Sequence, residues 1–187
     1  SRGLGDVYKR QPLSQCTPVR MKFLKIQQKN DVEIDSQSDE NFYVPLIVAK
    51  CTKIVETKGL NIVGIYRIPG NTAAITNLNE LINRNGMDEQ TLSDPKWEDV
   101  NVVSSLLKLF IRSLPEPILP NELYGSFIDA DKLTDQAQRF QELKALLRKL
   151  PQHNYETLRH LIAHLTTVSK NAAVNLMEPR NLGEILE

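Results

Sequence analysis

Between Asp99 and Leu114 the apolar residues Val103, Leu106, Leu107, Phe110, Ile111 and Leu114 recur at i, i+3 and i+4. That spacing lays one continuous stripe along an α-helix and scatters over both faces of a strand. A helix with so full a stripe has to bury it against other elements, so it predicts a packed helical core. The pattern stops at Leu114-Pro115-Glu116-Pro117, because the residue before a proline avoids the α region.

The neighbouring segments repeat this period. Pro45 suits a first helical turn, and Leu46, Ile47, Val48, Cys51, Ile54 and Val55 make an apolar face that Gly59 ends. Asn71 is a good N-cap for a second helix, which buries Ile75, Leu78, Leu81 and Ile82 and stops at Gly86. Short helical material follows around 121–128. A longer helix is expected over about 135–150, with Phe140, Leu143, Leu146, Leu147 and Leu150 inward. Another opens at Asn154 and buries Leu158, Leu161, Ile162, Leu165 and Val168. Nothing alternates as a strand and no segment repeats, so the expected fold class is all-α.

The 187 residues suffice for one domain with a substantial core, and 41% apolar with 25% charged content is that of a globular chain. Lys and Arg balance Asp and Glu at 23 each, so any basic site has to be local. The two cysteines, Cys16 and Cys51, make no disulfide framework and fit a reducing, cytoplasmic setting. No apolar run approaches the roughly 18 residues of a membrane span, and no secretory signal is present.

Residues 1–42 stand apart. They lack periodicity, and seven of the first 29 are Lys or Arg, with only Asp6 opposing them. Asp31, Glu33, Asp35, Asp39 and Glu40 follow. The segment reads as a flexible leader or linker, with 1–11 a candidate non-native stretch. Arg20, Lys22, Lys25 and Lys29 offer a weak case for contact with a membrane surface. The domain is expected over 43–187.

Three constellations could carry chemistry. Arg67 lies in Gly64-Ile65-Tyr66-Arg67-Ile68-Pro69-Gly70, where two glycines permit sharp turns and a proline fixes φ. On such a loop a guanidinium is either an ordinary surface charge or a planar fork presented to phosphate oxygens. Lys108 and Arg112 are four residues apart on one helix face, away from the apolar stripe, and read either as solvated surface or as an anion-binding pair. His160 and His164 share that spacing. They are expected to face water opposite the leucine stripe, with His153 as the one further candidate ligand, too few for a metal. Trp97 and Tyr124 read as packing residues. Neither a phosphate-binding loop nor the basic-aromatic interleaving of a nucleic-acid binder occurs.

Together these segments resemble a known family. Gly59-Leu60, the loop Gly64 to Gly70, the run Leu106-Leu107-Lys108-Leu109-Phe110-Ile111-Arg112-Ser113-Leu114-Pro115-Glu116-Pro117-Ile118-Leu119, and Met177 to Leu182 resemble the RhoGAP domains, the GTPase-activating domains for Rho-family small GTPases. The likeness spans about 44–182. Around Pro45 to Gly70 it is most similar to the large members that also carry PDZ and PH modules. The resemblance implies a RhoGAP-like helical bundle with Arg67 as the arginine finger. Lys108 and Arg112 would hold the finger loop and the GTPase, Asn181 would contact the GTPase near its active site, and Pro115 and Pro117 would form a structural turn. The implied partner is a Rho-family GTPase in its GTP-bound form, which brings the GTP and Mg²⁺, so the domain itself would need no cofactor. Recruitment to membrane or cytoskeleton would come from other parts of a larger protein. The alternative is a non-catalytic helical module that binds Rho GTPases or scaffolds signalling proteins.

After Asn181-Leu182 the family continues with a further helix of pattern N-L-A-x-x-F-x-P-x-L, whereas this chain reads Gly183-Glu184-Ile185-Leu186-Glu187. The expectation is a bundle truncated at its C-terminus, with apolar residues on the helices at 135–150 and 154–169 partly uncovered.

Overall fold

The computed structural model describes residues 43–183 and Ile185, and all of its regular elements are helical. The basic and acidic leader, Cys16 included, lies outside the described residues.

Helix α1 (Leu46–Ile54) starts after Pro45 and is buried on nearly every side, so it forms the axis of the bundle. It runs on into a single π turn (Val55–Gly59), and the wider turn carries Glu56. Helix α2 (Thr72–Asn85) is capped as expected. The Asn71 side chain accepts from the Ala74 N–H at 3.0 Å, and Gly86, at φ 69°, ends the helix. Leu78 and Ile82 are buried, while Ile75 and Leu81 pack at the edge. A one-turn α3 (Glu89–Leu92) and a 3₁₀ turn (Pro95–Glu98) bury Trp97, whose indole N–H donates to the Thr91 carbonyl at 2.7 Å. The Lys50 ammonium lies 4.7 Å above the same ring.

Helix α4 (Val100–Arg112) begins at Asp99, whose carboxylate accepts from the N–H groups of Asn101 and Val102. Its stripe packs on α1, α2 and the π turn. Val103, Leu106, Leu107 and Ile111 are buried there, as their spacing predicts. Phe110 is only half-buried, over a small crevice formed with Ile47, Ile82 and Leu114. It sits two residues from the end of α4.

Helices α5 (Asn121–Asp131) and α6 (Gln136–Leu147) pack chiefly on each other. That pairing corrects the inward placement of Phe140, which is 63% exposed, and of Tyr124, which is also exposed. Only the far end of α6, through Leu146 and then Leu150, reaches buried surroundings.

Helix α7 (Gln152–Ser169) starts two residues earlier than expected, after Pro151. Its buried positions are Thr157, Leu158, Leu161, His164, Leu165 and Val168. At about 100° per residue they centre near Leu161, which leaves Ile162 about 100° off the face and exposed. The same rotation carries His164 into the core and makes His160 half-buried, so the expectation that both imidazoles face water is overturned. A short α8 (Ala172–Asn175), a left-handed Leu176 at φ 61° and a short α9 (Pro179–Gly183) complete the described chain. Leu182 and Ile185 are both buried in the core. No helix among the described residues is long and apolar enough to cross a membrane.

Candidate functional site

The loop from Gly64 to Gly70 is held at several points. Gly64 has φ 72°, which a glycine adopts freely, and Tyr66 has φ 70°, which a bulky residue adopts rarely. The N–H groups of Arg67 and Ile68 both donate to the Gly64 carbonyl at 2.8 Å, closing a tight turn. The Gly64 N–H donates to the Asn175 carbonyl at 2.8 Å, and the Lys108 ammonium donates to the Tyr66 carbonyl at 2.6 Å.

At the far end the Gly70 N–H donates to Ser105 Oγ at 3.0 Å. A Cβ on Gly70 would stand 2.5 Å from the backbone nitrogen of Val102 and 2.6 Å from the Asn101 carbonyl carbon. Helix backbone cannot move aside as a side-chain tip does. Gly70→Ala is therefore expected to cost about 1–3 kcal/mol, read from the midpoint of urea unfolding. An unchanged midpoint would mean that the loop does not press on α4.

Asn175 is a second anchor that sequence reasoning missed. It is fully buried and its amide donates to the carbonyls of Leu60 and Val168, each at 2.9 Å, while its Oδ1 accepts from the Met177 N–H. The side chain thus ties the segment before the loop to α7 and to the chain that leads into α9. A buried Asn saturated in this way fixes geometry, because each bond left unmade would strand a desolvated group.

Held so, the loop points Tyr66 inward and leaves Arg67 exposed. Arg67, Lys108, Arg112 and Asn181 line one groove of about 290 Å³, together with Tyr66, Met177 and Ile185. The sequence places these four over more than a hundred residues, and the fold brings them to one wall-to-wall concavity. Lys108 is half-buried against the loop, and Arg112, one turn further along α4, is exposed. Asn181 is exposed on α9. The groove lining holds three basic side chains and no carboxylate among the described residues. The described lining therefore carries a local excess of positive charge, in a chain whose formal net charge is zero. Pro115 and Pro117 form the irregular turn that follows α4.

The histidines are engaged elsewhere. His160 Nε2 lies 2.8 Å from Thr52 Oγ1, and His164 bonds both Tyr66 and Glu56. His153 meets Tyr43 edge-on at 5.0 Å between centroids. Among the described residues no group of three or more potential ligands is gathered for a metal ion.

The described helices thus clamp an exposed arginine beside a groove lined by two further basic side chains. The RhoGAP domain profile matches residues 45–187, and the chain belongs to that family. It is 52% identical over 145 residues to GTPase-activating protein pac-1 of Caenorhabditis elegans, covering 75% of this chain and 9% of that protein. It is 53% identical over 142 residues to Rho GTPase-activating protein 21-A of Xenopus laevis, covering 76% of this chain and 7% of the relative. The chain therefore spans less than a tenth of the length of these relatives. Among solved structures, human Rho GTPase activating protein 15 superposes with a TM-score of 0.72 at 40% identity, covering 78% of this chain and 68% of that one.

Proposed function

We propose that residues 43–187 act as a GTPase-activating unit that inserts Arg67 into the active site of a GTP-bound Rho-family GTPase. The observation that carries this reading is the exposed guanidinium of Arg67 on a loop clamped beside Lys108, Arg112 and Asn181. Membership of the RhoGAP family supplies the partner class.

The chemistry follows from charge. As the γ-phosphoryl group leaves, negative charge moves onto the leaving oxygen, and a small GTPase alone stabilises it poorly. A guanidinium brought in trans meets that charge with a planar set of donors and displaces water, which for Ras is worth on the order of 10³ to 10⁵ in rate. Lysine lacks the fork. The loop's clamps matter because a finger already held in place loses little conformational freedom on docking. Lys108 would fix the backbone of the loop, Arg112 would help hold the GTPase, and Asn181 would contact the GTPase near its active site. GTP and Mg²⁺ come with the partner.

Single-turnover GTP hydrolysis by Rho, Rac and related GTPases, with and without this chain, tests the proposal. Stimulation supports it, and binding without stimulation would favour the non-catalytic module.

The two α4 cations separate in their expected effects. Lys108→Ala should lower both the stimulated rate and the folding stability, the latter by about 1 kcal/mol, since it strips the donor from the Tyr66 carbonyl. Arg112→Ala should leave stability unchanged and weaken association, with a reduced dependence on salt. Equal melting shifts for the two would contradict this division.

A further inference from the structure

We infer that the chain Glu56–His164–Tyr66, which runs from a part-exposed carboxylate into the core, is a positioning device for Arg67: His164, oriented by Glu56, fixes the Tyr66 side chain and with it the left-handed turn that aims Arg67 into the groove. The inference rests on the reading of Arg67 as the inserted group.

Tyr66 is the immediate neighbour of Arg67 and one of two described non-glycine residues at positive φ. A left-handed conformation is strained for such a residue and persists where the surroundings over-determine it. Tyr66 is held twice. Its carbonyl accepts from Lys108, and its hydroxyl lies 2.5 Å from His164 Nε2 deep in the core. The two rings meet edge-on, with centroids 5.7 Å apart. On the other side of the imidazole, His164 Nδ1 lies 2.7 Å from Glu56 Oε1, which the π turn presents.

These contacts assign the protons. A carboxylate only accepts, so Nδ1 carries the hydrogen and donates to Glu56. In the neutral ring Nε2 is then an acceptor, and the Tyr66 O–H donates to it. Burial acts in the same sense on both groups. It holds the Tyr66 phenol well above its ordinary range, so the donor proton stays, and it lowers His164, against the raising effect of Glu56, so the acceptor stays open. The other groups that face this site are Cys51 on α1, whose thiol burial pushes well up, and His160 one turn back on α7. His160 is also lowered, by burial first and then by His164.

Acid breaks the arrangement. A protonated His164 presents N–H at both nitrogens, and the buried Tyr66 hydroxyl loses its acceptor. The folded-state value of His164 lies below the ordinary 6.5, so the unfolded chain takes up the proton first. Stability tied to the neutral ring is complete above about pH 6.5 and is lost as pH falls through the folded value. The finger loop should loosen in that window.

The experiment is single-turnover GTP hydrolysis by a Rho-family GTPase at saturating chain from pH 5.5 to 8, each rate divided by that of the GTPase alone, with affinity and melting measured alongside. Tyr66→Phe keeps the ring and removes the hydroxyl. It should lower the saturating rate about fivefold to tenfold at pH 7.5 while affinity changes less than about threefold. His164→Leu should show a similar loss. His164→Gln restores one acceptor for Tyr66 and one donor for Glu56 without a titrating ring, so it should recover most of the rate lost in His164→Leu and lack the acid decline that the unmodified chain shows as pH falls through the folded value of His164. A Tyr66→Phe chain that melts lower but stimulates fully at saturation would make the network merely structural and overturn the inference. The same holds if Arg67→Ala abolishes stimulation while Tyr66→Phe and His164→Gln follow the unmodified chain at every pH; the inserted arginine would then stand without this device. Stimulation that survives Arg67→Ala would overturn the finger reading and this inference with it.

Discussion

Arg67→Ala is expected to lower the stimulated rate of GTP hydrolysis at saturating chain by about 10³, equivalent to roughly 4 kcal/mol of transition-state stabilisation. Affinity for the GTP-bound partner should change far less. The asymmetry follows from where the charge is. On the proposed reading, the guanidinium in the ground state would meet phosphate oxygens that Mg²⁺ and the partner's own residues largely neutralise. In the transition state it would meet newly shifted charge that the partner alone balances poorly. Removing it should therefore depress the rate without a matching loss of binding. The loop itself should survive, because the contacts that hold it run through the backbone of Gly64, Tyr66 and Gly70 and the side chain of Tyr66, and none of those contacts uses the Arg67 side chain. Equal stimulation by the unmodified and Arg67→Ala chains would remove Arg67 from the chemistry.

The largest expected loss of stability lies one residue before the groove. Leu107 has no exposed surface and sits in the stripe that α4 packs on the bundle. Leu107→Ala should cost about 2–5 kcal/mol, from lost apolar transfer plus a cavity that close-packed neighbours cannot fill. That is a large share of the roughly 5–15 kcal/mol that holds a typical domain folded. Phe110, on the same stripe, provides the control. Spacing alone ranks it with Leu107, and a fully buried phenylalanine would cost about 3–5 kcal/mol on truncation. Half-buried at the helix edge, it should cost nearer 1–2 kcal/mol, in proportion to the apolar area it hides. Urea unfolding of the two variants side by side checks the ranking, and equal losses would mean that Phe110 is as deeply packed as Leu107.

Helix positions were readable because they depend on local chemistry. The N-cap at Asn71, the stop at Gly86 and the stripe of α4 all rest on residues within a turn or two of one another, and each is found where its spacing predicts. The errors share another origin. Periodicity places Phe140 and Ile162 inward, yet which flank of an apolar helix is covered depends on the partner it meets. Helix α6 meets α5 rather than the main bundle, and α7 turns its face toward His164 and away from Ile162.

The same distinction divides the site. A rigid loop carrying an arginine, and two cations four residues apart on one helix, are properties of contiguous residues, so the sequence by itself determined them and, through the family likeness, the roles to expect. The sequence could not state that Lys108 reaches the carbonyl of Tyr66, that Asn175 ties the loop to α7, or that His164 stands behind Tyr66. Those are pairings across 42, 111 and 98 residues, counted from Lys108 to Tyr66, Asn175 to Gly64 and His164 to Tyr66. Only tertiary structure decides them, because burial makes a polar group's partner a matter of geometry: a histidine at one spacing is equally fit for water or for the core until the helix's rotation is set by what it packs against.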